Sequence, residues 1–333
     1  MHSLISRSKS HTALVCLSTA LFTSTIARTQ TVIANIPVPG FVGQGQSDPI
    51  TGKAYIPVST GVAVVDEKTN TVETVITVAT NWTITAAAIN PLTNLLYVGA
   101  QSGGMFVVDA RTHRTVGFVN VNAVSIDLDP ITNTIYASDF SSTLYVVNGK
   151  TNAVETSIPI SGIQNIAVNP VTNRIYAAQE NLPGNVIVID GKNNQIVATV
   201  AAGGDLSVGV AVDPIHNLFY SSEEFGLNFN QTASTATAYD GKTNTQTAVV
   251  QIPGQAGSLV VNPLTQKIYV AGSTDNELNA IDGKTNKLTG NLAVGTNPQY
   301  ETIDSLRGLV YVGTEDTSDP NNLTGNLAVV KTH

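Results

Sequence analysis

Short apolar runs, broken every few positions by Asn, Asp, Gly, Pro or Thr, extend along most of this 333-residue chain. Some are apolar on both faces, as in Leu95-Leu96-Tyr97-Val98; others alternate apolar and polar positions. The first pattern predicts a strand covered on both sides, the second a strand with one face in water. No stretch carries the period of a long amphipathic helix.

The runs recur in a fixed order. Asn90-Pro91-Leu92-Thr93-Asn94-Leu95-Leu96-Tyr97-Val98 returns as Asp129-Pro130-Ile131-Thr132-Asn133-Thr134-Ile135-Tyr136 and as Asn169-Pro170-Val171-Thr172-Asn173-Arg174-Ile175-Tyr176, with looser copies around Tyr55, Tyr220, Tyr269 and Tyr311. The seven tyrosines are spaced by 42, 39, 40, 44, 49 and 42 residues. Each unit reads as an apolar strand, an Asn/Asp-Pro turn, a Tyr-bearing strand, a variable loop, a Val/Ile-rich strand, an Asp-Gly-Lys-Thr-Asn turn and an alternating strand. A period near forty built of short strands predicts an all-β, seven-bladed β-propeller of four-stranded blades, one domain over 28–333. The seventh unit stops one strand short at Asn326-Leu327-Ala328-Val329-Val330, and the orphan strand 31–38 is expected to complete it and close the ring.

The repeats also account for residues that look like chemistry. In Asn-Pro-x-Thr-Asn the first side chain bonds backbone N–H groups ahead of it, Pro presets φ, and the last Asn tolerates positive φ. In the second turn Gly is expected at the left-handed position. Asp66, Asp109, Asn148, Asp190, Asp240 and Asp282 recur once per blade and are read as turn devices. The tyrosines are expected to pack between blades with their hydroxyls hydrogen-bonded.

Composition changes the picture at the N-terminus. Arg7 and Lys9 precede an apolar run from Ala13 to Phe22, and Thr25-Ile26-Ala27 offers a small-residue cleavage point, so 1–27 reads as a secretory signal peptide. The run is shorter than the roughly 20 residues of a membrane span, and no later segment is apolar enough to span. The one cysteine, Cys16, lies inside this leader, which leaves no thiol or disulfide chemistry afterwards. Loss of the leader's two cations takes the formal net charge from -8 to -10. The expected address is secreted, periplasmic or cell-surface, and an acidic exported chain is a poor partner for nucleic acid.

The units Asn-Pro-x-Thr-Asn-x-Ile-Tyr-Val and Val-Ile-Asp-Gly-Lys-Thr-Asn resemble those of the YVTN-type β-propeller repeat proteins. The naming tetrapeptide itself departs, reading Tyr97-Val98-Gly99-Ala100 or Tyr136-Ala137-Ser138-Asp139. The resemblance implies a seven-bladed ring outside the cytoplasm and little about activity; related propellers include lactone hydrolases, surface-layer proteins and a type that binds DNA.

Both regular turns are expected on one face of the disc and the variable loops on the other. Twelve of the 13 Lys and Arg residues after Arg28 fall in or beside the regular turns. The variable face is assigned Asp139, Glu180, Asp205, Glu223, Glu224, Asp275, Glu277, Glu301, Glu315, Asp316 and Asp319, and Trp82 as a residue that stacks a ligand or packs under a loop. The histidines after the leader are His113 and His216, in regular turns, and His333. A Ser-His-Asp or His/Cys metal site on the variable face is therefore not expected. Carboxylate and amide chemistry remains, which suits calcium. Two residues before the Asn/Asp-Pro turn the inner strands read Ala88, Asp127, Ala167, Ala211, Val260 and Thr302, so Asp127 stands out. Asp127 with Glu301 is the candidate metal or acid–base pair, with Asn165 and Asn297 near the same channel mouth. Three functions follow: a monomeric module that binds a protein, cell-envelope component or small molecule without any cofactor; a calcium-assisted, lactonase-like hydrolase; and, weakest, DNA binding through the basic turns. Asn81, Asn230 and Asn322 match the N-glycosylation pattern.

Overall fold

The computed structural model describes residues 30–78, 82–225, 233–316 and 324–332. The predicted leader, Asp319 and the three glycosylation motifs' Asn residues lie outside them. The described residues form seven four-stranded antiparallel sheets and no helix. Blade 2 shows the standard order from the channel outward: Ile84–Asn90, Leu95–Ala100, Gly104–Asp109 and Arg114–Val119. Inner strands of successive blades touch all the way round, from Gln46–Asp48 of blade 1 to Thr296–Asp304 of blade 7 and back. Blade 7 is completed by Thr31–Val38, which pairs with Thr324–Lys331, Thr31 opposite Lys331 and Val38 opposite Gly325. The closure expected from the orphan strand is the one found.

The core is not a single centre but seven apolar layers, each between two neighbouring blades. The layer between blades 2 and 3, for example, joins Ala88, Tyr97 and Val107 to Ile126, Leu128 and Ile135. This is why the middle strands are apolar on both faces while outermost strands such as Ala153–Pro159 are exposed along most of their length. All seven tyrosines are buried in these layers. The Tyr97 hydroxyl donates to the Gly149 carbonyl of the next blade at 3.3 Å, and that of Tyr311 to Asn70 Oδ1 at 3.2 Å. The hydroxyls of Tyr176 and Tyr220 have no partner among the described residues, contrary to expectation.

The turns behave as predicted in their first residue. Asp66 Oδ1 accepts the N–H groups of Lys68 and Thr69, both at 2.9 Å, and Asp109, Asp240 and Asp282 repeat the arrangement. Hydrogen bonds hold these carboxyls below the usual range: from Lys53 at Asp66, from backbone N–H groups at Asp109 and Asp240, and from Lys267 at Asp282, which falls to about 2. The role assigned to Gly in the second turn is corrected. The left-handed residue there is the final Asn, as at Asn194 and Asn244 with φ near 57° and 55°. Gly is needed for room: a Cβ on Gly191 would stand 1.9 Å from Asn173 Oδ1 of the first turn.

The seam between blades 7 and 1 departs from the turn pattern at several positions, among them three that come together. Gly52 replaces the Asn of the first turn of blade 1, Glu67 replaces the Gly of its second turn, and Arg307 replaces the Thr of the first turn of blade 7. The departures meet. Arg307 Nη1 lies 3.1 Å from Glu67 Oε2 and 3.0 Å from Asp304 Oδ2, with Nη2 only 2.6 Å from where a Cβ on Gly52 would sit. Both carboxylates are buried, and the Ser47 hydroxyl donates to Glu67 Oε1 at 2.5 Å.

Candidate functional site

The inner strands line a central channel, and backbone register decides which side chains enter it. Opposite the seven tyrosines, in blade order, stand Gln46, Ala88, Asp127, Ala167, Ala211, Val260 and Thr302. Gln46 is the member the sequence did not reveal. Its strand is only three residues long and lacks the apolar pattern of the other six.

Asp127 and Glu301 do line one cavity of about 180 Å³, together with Gln46, Asn165 and Ser258. Their environments are those of blade-joining groups. Asp127 Oδ2 accepts the N–H of Val168 in the next blade at 2.8 Å, and Oδ1 accepts its neighbour Leu128 N–H at 2.8 Å and Gln46 Nε2 at 3.5 Å. The same bond recurs around the channel: Gln46 Oε1 takes Ile89 N–H at 2.8 Å, Asn165 Oδ1 takes Val210 N–H at 3.1 Å, and Ser125 Oγ takes Ile166 N–H at 3.1 Å. An inner strand has no sheet partner on its channel side, so its N–H groups need acceptors, and the preceding blade supplies them. Burial raises the Asp127 carboxyl to about 7 against the pull of these donors. Glu301 is buried, receives the Ser258 hydroxyl on Oε2, and has no partner on Oε1 among the described residues; burial pushes it well above the carboxylate range. Among the described residues no three His, Cys, Asp or Glu side chains gather as a metal site would require. Asn297 does not line the channel cavity.

The residues assigned to the variable face separate into groups. Glu223 is corrected: it is fully buried, with Ser221, Thr235 and Thr237 donating their hydroxyls to it, and burial raises it to about 7. It does not reach a partner. Asp139 holds its own turn through Ser142 and Thr143 N–H, each 2.8 Å from Oδ1. Glu224 accepts Gln255 Nε2 at 2.8 Å, and Glu277 is bonded to Asn291. Glu180 is half-buried, raised by burial and then by Glu224, and its charge in turn acts on the Tyr300 hydroxyl. Asp205 is half-exposed, and Asp275 and Glu315 are exposed; the Asp316 side chain lies outside the described residues. Trp82 is 39% exposed and lies against Phe106, which meets Phe118, with Gly103 beneath its ring. It packs over blade 2, away from the channel.

A concavity on the variable face lies above the channel, and sequence reasoning missed it. It encloses about 430 Å³ and is lined by Phe41, Gln44, Thr83, Thr85, Gln101, Val124, Phe140, Gln164 and Tyr300. That volume falls within the range of about 300–1,000 Å³ typical of small-ligand pockets. Among the described residues no charged side chain lines it. Gln44 also lines the channel cavity below, so the two spaces meet there. Gln44 is brought in by a parallel bridge to blade 2, its N–H donating to Thr85 O at 3.0 Å and Ala87 N–H to its carbonyl at 2.9 Å. That approach needs the preceding glycine, since a Cβ on Gly43 would stand 2.4 Å from Thr85 O.

Four of the twelve turn cations form ion pairs among the described residues: Lys53 pairs with Asp66 and Glu73, Arg174 with Asp190, Lys267 with Asp282 and Arg307 with Glu67 and Asp304.

No protein-family model matches the chain, and comparison with curated protein sequences finds no match either. Solved structures do share its architecture. A chain from the crystal structure of a mitotic checkpoint complex superposes with a TM-score of 0.76 at 12% identity, over 97% of this chain and 99% of that one. A chain of Kuenenia stuttgartiensis hydrazine synthase gives 0.74 at 16% identity, over 89% and 96%. One belongs to a complex and the other to an enzyme. At such identities the likeness shows the seven-bladed fold alone.

Proposed function

We propose that this protein is a non-enzymatic binding module, working outside the cytoplasm as a monomer, that engages a protein, envelope component or small molecule with its variable-loop face. The observation that carries this reading is the pocket above the channel, whose lining comes from blades 2, 3, 4 and 7 and the segment joining 7 to 1. Nothing in the fold requires those loops to leave an open concavity, whereas the opposite face uses its side chains to hold turns. Against a calcium-assisted hydrolase stands the engagement of Asp127 and Glu301 in joining blades. Against DNA stand the spacing of the turn cations around the ring and the pairing of Lys53, Arg174 and Lys267 with turn acids. We also propose kinship with the YVTN-type propellers, on the recurring turn units quoted above. The leader-like N-terminus supports the address.

The test fills the pocket with Gln101→Trp/Gln164→Trp, two lining residues that are not buried, and compares partner capture from envelope and culture fluid with wild type. Capture lost with an unchanged melting temperature supports the reading. Capture retained by the filled protein refutes it.

A further inference from the structure

We propose that the pocket above the channel binds an uncharged, hydroxyl-rich ring, a neutral pyranose unit standing free or at the end of a glycan; the proposal rests on the reading of the variable face as a binding surface. Two kinds of group make up the lining. Phe41, Phe140 and Tyr300 supply aromatic surface, and Gln44, Gln101 and Gln164 supply amides. Phe41 meets Tyr300 edge to face, with centroids 5.9 Å apart and planes at 80°, which fixes both rings at one wall.

Phe140 shows the clearest sign of a selected conformation. Its φ is 64°, a left-handed backbone that an aromatic residue adopts only when its surroundings impose it, and its side chain is 40% exposed. The imposition is visible. Asp139 accepts Ser142 and Thr143 N–H on one side, and Gly162 N–H, from the next blade, donates to the Phe140 carbonyl at 2.6 Å. The local structure thus holds a large apolar ring in water, where burial would be the more favourable state.

The amides point the same way. The side chains of Gln101 and Gln164 make no hydrogen bond to the described residues, and Gln44 uses only Oε1, which accepts the Ser125 hydroxyl at 3.0 Å. Donors and acceptors are therefore available side by side. A charged ligand would be transferred into an uncharged lining without a counter-charge, and a wholly apolar one would strip water from the amides without replacing it. A pyranose meets both demands. Its C–H faces lie on aromatic rings, whose faces carry negative charge, and each hydroxyl both donates and accepts, as each amide does.

The full chain is applied to an array of neutral, sialylated and sulfated glycans beside uncharged peptides, and the neutral oligosaccharide retained best is titrated by calorimetry. Wild type is compared with Gln101→Ala/Gln164→Ala and with Phe140→Ala. The expected result is retention of neutral glycans, with affinity about tenfold or more weaker in each variant and the melting temperature of the double variant unchanged. The double variant keeps the test decisive if Phe140→Ala disturbs its turn, because neither glutamine is buried. Retention of only anionic glycans, only peptides or nothing at all overturns the proposal, as does affinity indifferent to the double variant. If glycans fail while filling the pocket with Gln101→Trp/Gln164→Trp still abolishes capture, the binding-module reading stands and only the ligand class falls.

Discussion

Arg307→Ala should open the seam at which the ring closes, and the structure sets both the size and the pH dependence of the effect. The guanidinium joins Glu67 of blade 1 to Asp304 of blade 7, and those two carboxylates are 0% and 1% exposed. Removing one partner of a buried ion pair typically costs about 3–5 kcal/mol, because a charge is left without compensation. Arg307 is 38% exposed, so water enters the vacated space, and we expect about 2–3 kcal/mol at pH 8. For about 300 ordered residues, unfolding entropies near 2 cal/mol/K per residue turn this into a fall in Tm of about 3–5 °C. The sign of the pH effect follows from Glu67, whose carboxyl is raised to about 7, chiefly by burial. Its folded value exceeds its unfolded one, so the extra proton held by the folded state stabilises fully below the unfolded value. That stabilisation is lost as pH rises through about 7. Without Arg307 the carboxyl rises further and the loss at alkaline pH deepens; at pH 5 Glu67 is already neutral and the arginine is missed less. Urea denaturation at pH 5 and pH 8 checks this. A deficit equal at the two pH values, or below about 0.5 kcal/mol at pH 8, refutes the reasoning. The variant Gly52→Asn/Glu67→Gly/Arg307→Thr, which restores the repeat residue at the three positions that meet, should recover most of the loss. Asn94 and Asn133 already hold the required backbone, with φ of 58° and 54° against 68° at Gly52.

Asp127→Asn should narrow its stability gap to wild type as pH rises from 5 to 8, because a carboxyl raised to about 7 destabilises the fold increasingly over that interval and the amide does not titrate; a gap constant with pH in urea melts would show that Asp127 titrates normally. Gly43→Ala should cost about 1–3 kcal/mol by driving its Cβ into the Thr85 carbonyl, whereas Gly290→Ala, with nothing within 4 Å, should be neutral or slightly stabilising. Equal denaturation midpoints for these two variants would remove the case for a tight bridge between blades 1 and 2.

What was legible in the chain was whatever repeats. The two turns, the seven tyrosines and the borrowed strand each appear several times or complete a count, so local chemistry and the period agree. What was not legible arises where blades meet once. Glu67 and Arg307 stand 240 positions apart and look like ordinary surface charges until the ring juxtaposes them. Their signal was present as simultaneous departures from the turn consensus at neighbouring positions of the closed ring. The pocket lining is drawn from positions 41 to 300, and its residues are common ones with no motif of their own. Charge suggested an acidic face, but Glu223 turned inward because hydroxyls at 221, 235 and 237 surround it, which strand alternation alone does not disclose. Asp127 was singled out correctly as unusual, and the reason for its oddity proved to be the unpaired N–H groups of the channel wall.

The borrowed strand fixes more than closure. Thr31 and Lys331 lie side by side, at the place where the other six blades carry their second turn. Any tether leaving either end, whether stalk, anchor or fused domain, departs from the side opposite the pocket. A disc held that way displays its open face outward like a dish on a mast, and two such discs joined end to end would look away from each other. Orientation on a surface is thus written into the point at which the circle was cut.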